Sequence, residues 1–314
     1  MNYIKKIPLP MTAVMLALAA LGNLLSSYSI VFKNILGAIS AVILIFVTVK
    51  IITCWKSVKE EVKNPVIAGV ITTYSMGVML LAGYLKEISF IGGTILWWIG
   101  VIIHIALIIF YTKNFIFKFD IKKMFPSTFI VYVGIGVGGI TAPVFNLAAI
   151  GQVFFWFAFI SLIILIPILG YRTLVIKEIP EPAFPTIVIF AAPAALTLAA
   201  YLNAFQEKSM GMVAFLAVLV MLLYVFGIIY LVRGLKLKFY PSYASFTFPM
   251  VISAIAMKGT NSFLVKSGNS ISWLKYMVKF QEIIATVVVL YVFIRFIMFI
   301  FKKETVKVNT TVAK

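Results

Sequence analysis

The stretch PTIVIFAAPAALTLAAYL, residues 185–202, contains no charged side chain. It opens on Pro185 and carries a second proline, Pro193, inside it. A short polar break, Gln206-Glu207-Lys208, separates it from a bulkier apolar run, AFLAVLVMLLYVF (214–226). A bilayer-crossing α-helix needs about 20 mostly apolar residues, so the pair reads as a helical hairpin in a membrane. Working outward, the unit recurs: Pro8, Pro65, Pro126, Pro185 and Pro241 each open an apolar stretch, at spacings of 57, 61, 59 and 56 residues. That period fits two spans and two connections, and repetition on this scale decides a fold. The predicted fold class is an all-α membrane protein of ten transmembrane helices, built as five helical-hairpin repeats. The spans fall at roughly 8–28, 35–55, 65–85, 89–112, 126–148, 150–171, 185–205, 210–232, 241–257 and 280–301. They form a single domain over 1–314, with a short cytoplasmic tail at about 302–314.

Composition requires lipid as the solvent. Apolar residues make up 63% of the chain and charged residues 11%, with mean hydropathy +1.12; a soluble domain carries about 25% charge. The first apolar run leads into Gly22-Asn23-Leu24, which lacks a cleavage pattern, and reads as the first span. One cysteine, Cys54, excludes an intramolecular disulfide framework, and one histidine, His104, excludes a multi-histidine metal centre. The residues call for no metal and no cofactor.

The net charge of +18 sits in short loops and the tails, a mark of membrane orientation and not of a nucleic-acid surface. Connections from even to odd spans, with the two tails, hold 18 Lys and Arg; connections from odd to even spans hold 7. This bias predicts that both termini face the cytoplasm, in the inner (cytoplasmic) membrane of a cell.

Odd and even spans differ in kind. The odd spans contain no Asp, Glu, Lys, Arg or His and are rich in small and hydroxyl residues. The even spans are bulkier and carry Trp97, Trp98 and Trp156. Small residues let helix backbones approach closely, which predicts an inner ring of odd helices forming a pore inside an outer ring of even ones. Candidate pore-lining residues are Thr12, Thr72, Thr73, Gly134, Gly138, Ala192, Pro193, Ser245 and Pro249. Pro193 and Pro249 each lie eight residues after a repeat proline, so they are expected to kink spans seven and nine. Such irregular backbone at membrane depth faces a cavity or other protein. The run GIGVGG (134–139) is superficially like a phosphate loop but has no strand before it and no Lys-Ser/Thr after it, so helix packing or pore width explains it better.

Of nine acidic residues only Glu282 falls within a predicted span. The inner ring therefore has neither the carboxylate relay of a coupled transporter nor the carboxylate ring of a cation pore. Lys50 and Arg295 lie near helix ends, where snorkelling is the default reading. An uncharged passage in a basic protein suits anions, because the surrounding field raises their local concentration.

Several segments resemble the tellurite-resistance/dicarboxylate transporter family, which includes bacterial TehA-type proteins and the plant guard-cell slow anion channels. They are Ile7-Pro8-Leu9-Pro10, Glu60 to Val66 (EEVKNPV), FFWFAFISLIILIPILGYRTL in span six, PEPAFPTIVIFAAPAAL around span seven and YASFTFPM in span nine. The resemblance covers nearly the whole chain, in order. It implies a homotrimer in the lipid bilayer, with a pore in each subunit formed by the five odd helices. It also implies a gate, one aromatic side chain on span nine: Phe248 here, with Phe246 next. Phe248 precedes a proline, a position pushed away from helical geometry. Its counterparts in the other repeats are Met15, Thr72, Val133 and Ala192, which would leave a ring room to lie across the passage.

The sequence thus predicts a channel passing small inorganic or organic anions, chloride- or nitrate-like, through an uncharged pore closed by phenylalanine. The alternative is a secondary carrier or exporter of C4-dicarboxylate, sulfite or tellurite-type oxyanions. A membrane enzyme is disfavoured, because no paired carboxylates, metal cluster or nucleophile–histidine arrangement stands out.

Overall fold

The computed structural model describes residues 2–302, so all but the first residue of the expected tail lies outside the described residues. Among the described residues every regular element is helical. Span one is the apolar helix Met11–Leu25. Spans two to ten are Ile30–Thr53, Pro65–Lys86, Phe90–Ile116, Thr128–Phe145, Ala148–Ile176, Glu181–Ala204, Met210–Gly234, Pro241–Lys266 and Leu274–Phe301, each long and apolar enough to cross a membrane. Span one has only 15 residues, about 22 Å of helical rise against a hydrocarbon core of about 30 Å. Its side chains are almost all buried, so protein covers the shortfall.

The two kinds of span separate by burial. In the most apolar stretch of spans three, five, seven and nine, 61–94% of residues are buried, against 28–33% in the even spans. Span one packs on three, three on five, five on seven, seven on nine and nine on one, which closes a circuit. Each even span lies against the odd span of its own hairpin. Glycine makes these approaches possible. A Cβ on Gly93 of span four would lie 2.8 Å from the Lys86 amide nitrogen and 2.9 Å from the Ala82 carbonyl of span three. One on Gly138 would meet the Phe154 ring of span six at 2.7 Å. The turn from span five to span six closes on Asn146 at φ 62°, a left-handed conformation that asparagine tolerates.

The later odd spans are interrupted at similar depth. Span three is helical over Pro65–Val70 and again over Thr73–Lys86. Span five is helical over Thr128–Val133 and Gly136–Thr141. Span seven runs as a tight 3₁₀ helix over Glu181–Ala191 before the α-helix Pro193–Ala204. Span nine does the same, with 3₁₀ Pro241–Phe246 and α-helix Thr247–Lys266. Pro193 and Pro249 therefore do not kink continuous rods. They occupy the first and third residues of a new α-segment, where the missing N–H has no helical partner to lose.

The charged ends depart most from expectation. Spans nine and ten run to Lys266 and from Leu274, not to 257 and from 280. Lys258, one residue beyond the expected end of span nine, forms a 2.7 Å ion pair with Glu282 of span ten. Lys50 does not snorkel: it is 2% exposed, pairs with Glu61 at 2.8 Å and donates to the Ile7 carbonyl at 2.6 Å. Trp97 points inward, its indole N–H donating to Thr141 Oγ1 at 2.7 Å, whereas Trp98 and Trp156 are exposed.

Two glycine substitutions should act in opposite directions on thermal unfolding in detergent. Gly93→Ala should destabilise by about 1–3 kcal/mol, through overpacking against backbone. Gly170→Ala, with open space where its Cβ would go, should stabilise by about 0.5–1 kcal/mol, through helix propensity.

Candidate functional site

Near the interruptions and at the entries of the odd spans, backbone N–H groups reach carbonyls three residues back, as in a 3₁₀ turn. Threonine hydroxyls add a second bond to the same carbonyls. Thr72 Oγ1 donates to the Gly69 carbonyl at 2.6 Å, Thr12 to Leu9 at 2.9 Å, Thr186 to Ala183 at 2.6 Å and Thr247 to Ala244 at 2.7 Å. Thr73 Oγ1 stands 2.7 Å from both the Val70 carbonyl and Thr12 Oγ1. His104 of span four joins the breaks of spans three and five. A carbonyl can only accept, so His104 Nε2 carries the proton toward Val131 O at 3.2 Å, and Nδ1 faces Ser75 Oγ at 2.8 Å.

The breaks surround a small cavity of about 30 Å³, here called proximal, lined from all five odd spans. Ala13, Thr73, Gly134, Ala192 and Ser245 are members of its wall. It has room for about two waters. A wider cavity of 370 Å³, here called distal, lies toward the other end of the odd spans and is again lined by all five. Asn23, Leu80, Thr141, Asn203 and Lys258 belong to it. Among the described residues only Phe248 belongs to both walls, and it is 5% exposed. From it a stripe runs along the distal cavity, Phe248, Ile252, Ile255, Gly259 and Ser262, with the four-then-three spacing of one helix face.

The electrostatics of the two walls are simple. Among the described residues neither contains an acidic residue, and Lys258 is the one charged member of either. Glu282 is turned the other way: its carboxylate takes Lys258 on one side and the Tyr28 hydroxyl on the other. In the proximal wall, Ser245 Oγ is buried with no hydrogen-bond partner. Among the described residues no group of three or more His, Cys, Asp or Glu is placed to hold a metal ion.

Of the candidates read from sequence, Thr73, Gly134, Ala192, Pro193, Ser245, Phe248 and Pro249 meet in the proximal wall. Thr12, Thr72 and Gly138 belong to neither wall. Thr12 bonds the Leu9 carbonyl at the entry of span one, Thr72 bonds the Gly69 carbonyl at the break of span three, and Gly138 seats the Phe154 ring. Phe246 is in neither wall: its ring lies 4.8 Å from that of Tyr243 and against Gly234 of span eight, where a Cβ would be 2.6 Å from it. Lys258, Asn23 and Asn203 went unread. Their one signal is a polar residue interrupting an odd span near its end, which looks like a loop boundary.

The family model described as a voltage-dependent anion channel matches residues 6–297, nearly the whole chain. A search of curated proteins finds no match.

Two hydroxyl deletions should separate structural from unpartnered groups when melting temperatures are compared. Thr72→Val removes the hydroxyl bond to the buried Gly69 carbonyl, which keeps its backbone donor, and should cost about 0.5–1.5 kcal/mol. Ser245→Ala removes a hydroxyl with no partner and should leave the melting temperature unchanged.

Proposed function

The chain belongs to the voltage-dependent anion channel family, and from that premise we propose that it is a gated channel passing small anions passively along the line of its two cavities. The supporting observation is that Phe248 alone is common to two cavities each walled by all five odd spans. A phenyl ring between two spaces is a barrier that a rotamer change can lift. The proximal side offers no fixed charge, so an anion meets no trap there, and the +18 net charge of the chain favours anions over cations.

A carrier of dicarboxylate, sulfite or tellurite-type oxyanions would need a coupling relay, and neither wall contains a carboxylate. The channel is therefore the preferred reading, and chloride or nitrate the preferred ion class. Placement in the inner membrane with cytoplasmic termini is proposed on the Lys/Arg bias. A homotrimer, with one domain and one pore per subunit, is proposed on the family resemblance. In that orientation the odd spans enter from the cytoplasm, so the proximal cavity faces inward and the distal cavity outward.

Recordings from purified protein in planar bilayers test the reading. Phe248→Ala is predicted to raise chloride and nitrate currents well above those of the native protein, with reversal potentials following the anion gradient. Turnover above about 10⁶ ions per second per pore would exceed what a carrier's microsecond-to-second conformational step permits. An alanine variant that stays at the native level, or saturable exchange at low turnover, would overturn the reading.

A further inference from the structure

We propose that the distal cavity contains a binding site for a small monovalent anion of chloride or nitrate size, with Lys258 as its cation and Glu282 as a built-in competitor for that cation. The proposal deepens the channel reading and rests on it for the claim that the bound ion is the one that passes Phe248.

The argument begins with an asymmetry of exposure. The Lys258 side chain is 34% exposed and lines the cavity, whereas Glu282 is 5% exposed and lies behind it. The ammonium is bonded to two residues of the cavity wall, Leu24 and Ser27, while its counter-ion belongs to a separate pocket with Tyr28 and Lys279. Lys258 Nζ donates to Glu282 Oε1 at 2.7 Å, Ser27 Oγ at 2.7 Å and the Leu24 carbonyl at 3.1 Å. All three of its hydrogens are occupied, so an arriving anion must displace one of these acceptors.

Glu282 is arranged to permit that. A buried carboxylate stripped of its only cation would be strongly destabilised, but Glu282 has a second set of partners. The Tyr28 hydroxyl donates to Oε2, and Lys279 Nζ reaches that hydroxyl at 2.5 Å with its charge 4.1 Å from the Tyr28 ring centroid. Lys258 can therefore turn toward the cavity without stranding the carboxylate. Lys258, Lys279 and Glu282 together carry one net positive charge, which matches a monovalent anion. Asn203 and Ser262 supply polar groups elsewhere in the wall, at helix positions facing the same space. A purely structural bridge tying spans nine and ten to the end of span one would not need its ammonium in the wall of a 370 Å³ cavity.

Chloride NMR line broadening on the purified full-length protein in detergent, with nitrate as competitor, reads the site without requiring conduction. The native protein should broaden the chloride line, and nitrate should reverse it. Lys258→Gln and the charge-balanced Lys258→Gln/Glu282→Gln should abolish that excess broadening, the second without leaving a buried carboxylate unpaired. With chloride held well below half-saturation, so that the half-displacing nitrate concentration follows nitrate's own affinity, Glu282→Gln should retain the broadening and lower that concentration by about tenfold, the small end of local counter-ion enrichment. Equal broadening in the native and double-substituted proteins, or none in the native protein, would overturn the proposal. Should the double variant fail to fold, an unchanged half-displacing concentration in Glu282→Gln overturns it instead. Lys258-dependent broadening without bilayer current would leave the site standing and remove the channel reading. Current with broadening indifferent to Lys258 would do the reverse.

Discussion

Inside a bilayer every backbone carbonyl and amide must find its partner within the protein, because lipid offers none and an orphan costs several kcal/mol (roughly 2–7). The odd spans break that rule locally, with interruptions at 71–72, 134–135, 192 and 246–247. Two features make the breaks tolerable. Threonine hydroxyls take up carbonyls three residues back, as Thr72 does for Gly69, and His104 reaches Val131 across two helices. The even spans, regular and greasy, turn their exposed faces outward and keep the broken ones from lipid. Irregular helices at the centre and regular helices at the rim are one solution to a single constraint.

The same constraint organises charge. Lys50 is nearly sealed, yet it is paired with Glu61 and bonded to the Ile7 carbonyl, so it ties the entry of span one to the connection before span three. At the other end, Lys258 and Glu282 join spans nine and ten, and Tyr28 and Lys279 complete the cluster. Between these two layers the proximal cavity has no charged member. An ion moving along the proposed route would meet a cation at one mouth and then an apolar constriction at Phe248.

Much of this was legible in the sequence, for reasons tied to particular residues. The repeat prolines marked the hairpins because an N-terminal proline costs a helix nothing, and absence of charge with abundance of Gly, Thr and Ser marked the odd spans as the buried set. Phe248 was singled out by its neighbour Pro249 and by family resemblance. Sequence could not tell which hydroxyl residues border a cavity, since Thr12, Thr72 and Thr73 all bond a carbonyl three residues back; only Thr73 lines a wall. Phe246 shows the same limit, two residues from Phe248 yet on the face toward Gly234. The end of span nine and the start of span ten were misplaced because Lys258 and Lys279 read as charges needing water, and only three dimensions reveal that Lys258 pairs with Glu282 and Lys279 reaches the Tyr28 hydroxyl.

The most direct test of the central claim, that the odd spans wall a water-accessible path, is a cysteine scan of residues 248–262 in a Cys54→Ser background with a membrane-impermeant thiol reagent. The account predicts reaction at 252, 255, 258, 259 and 262, the positions that line the distal cavity, protection at the other residues between them, and access past 248 only when its side chain is small. Uniform protection, or reactivity centred on the face toward span ten, would contradict it.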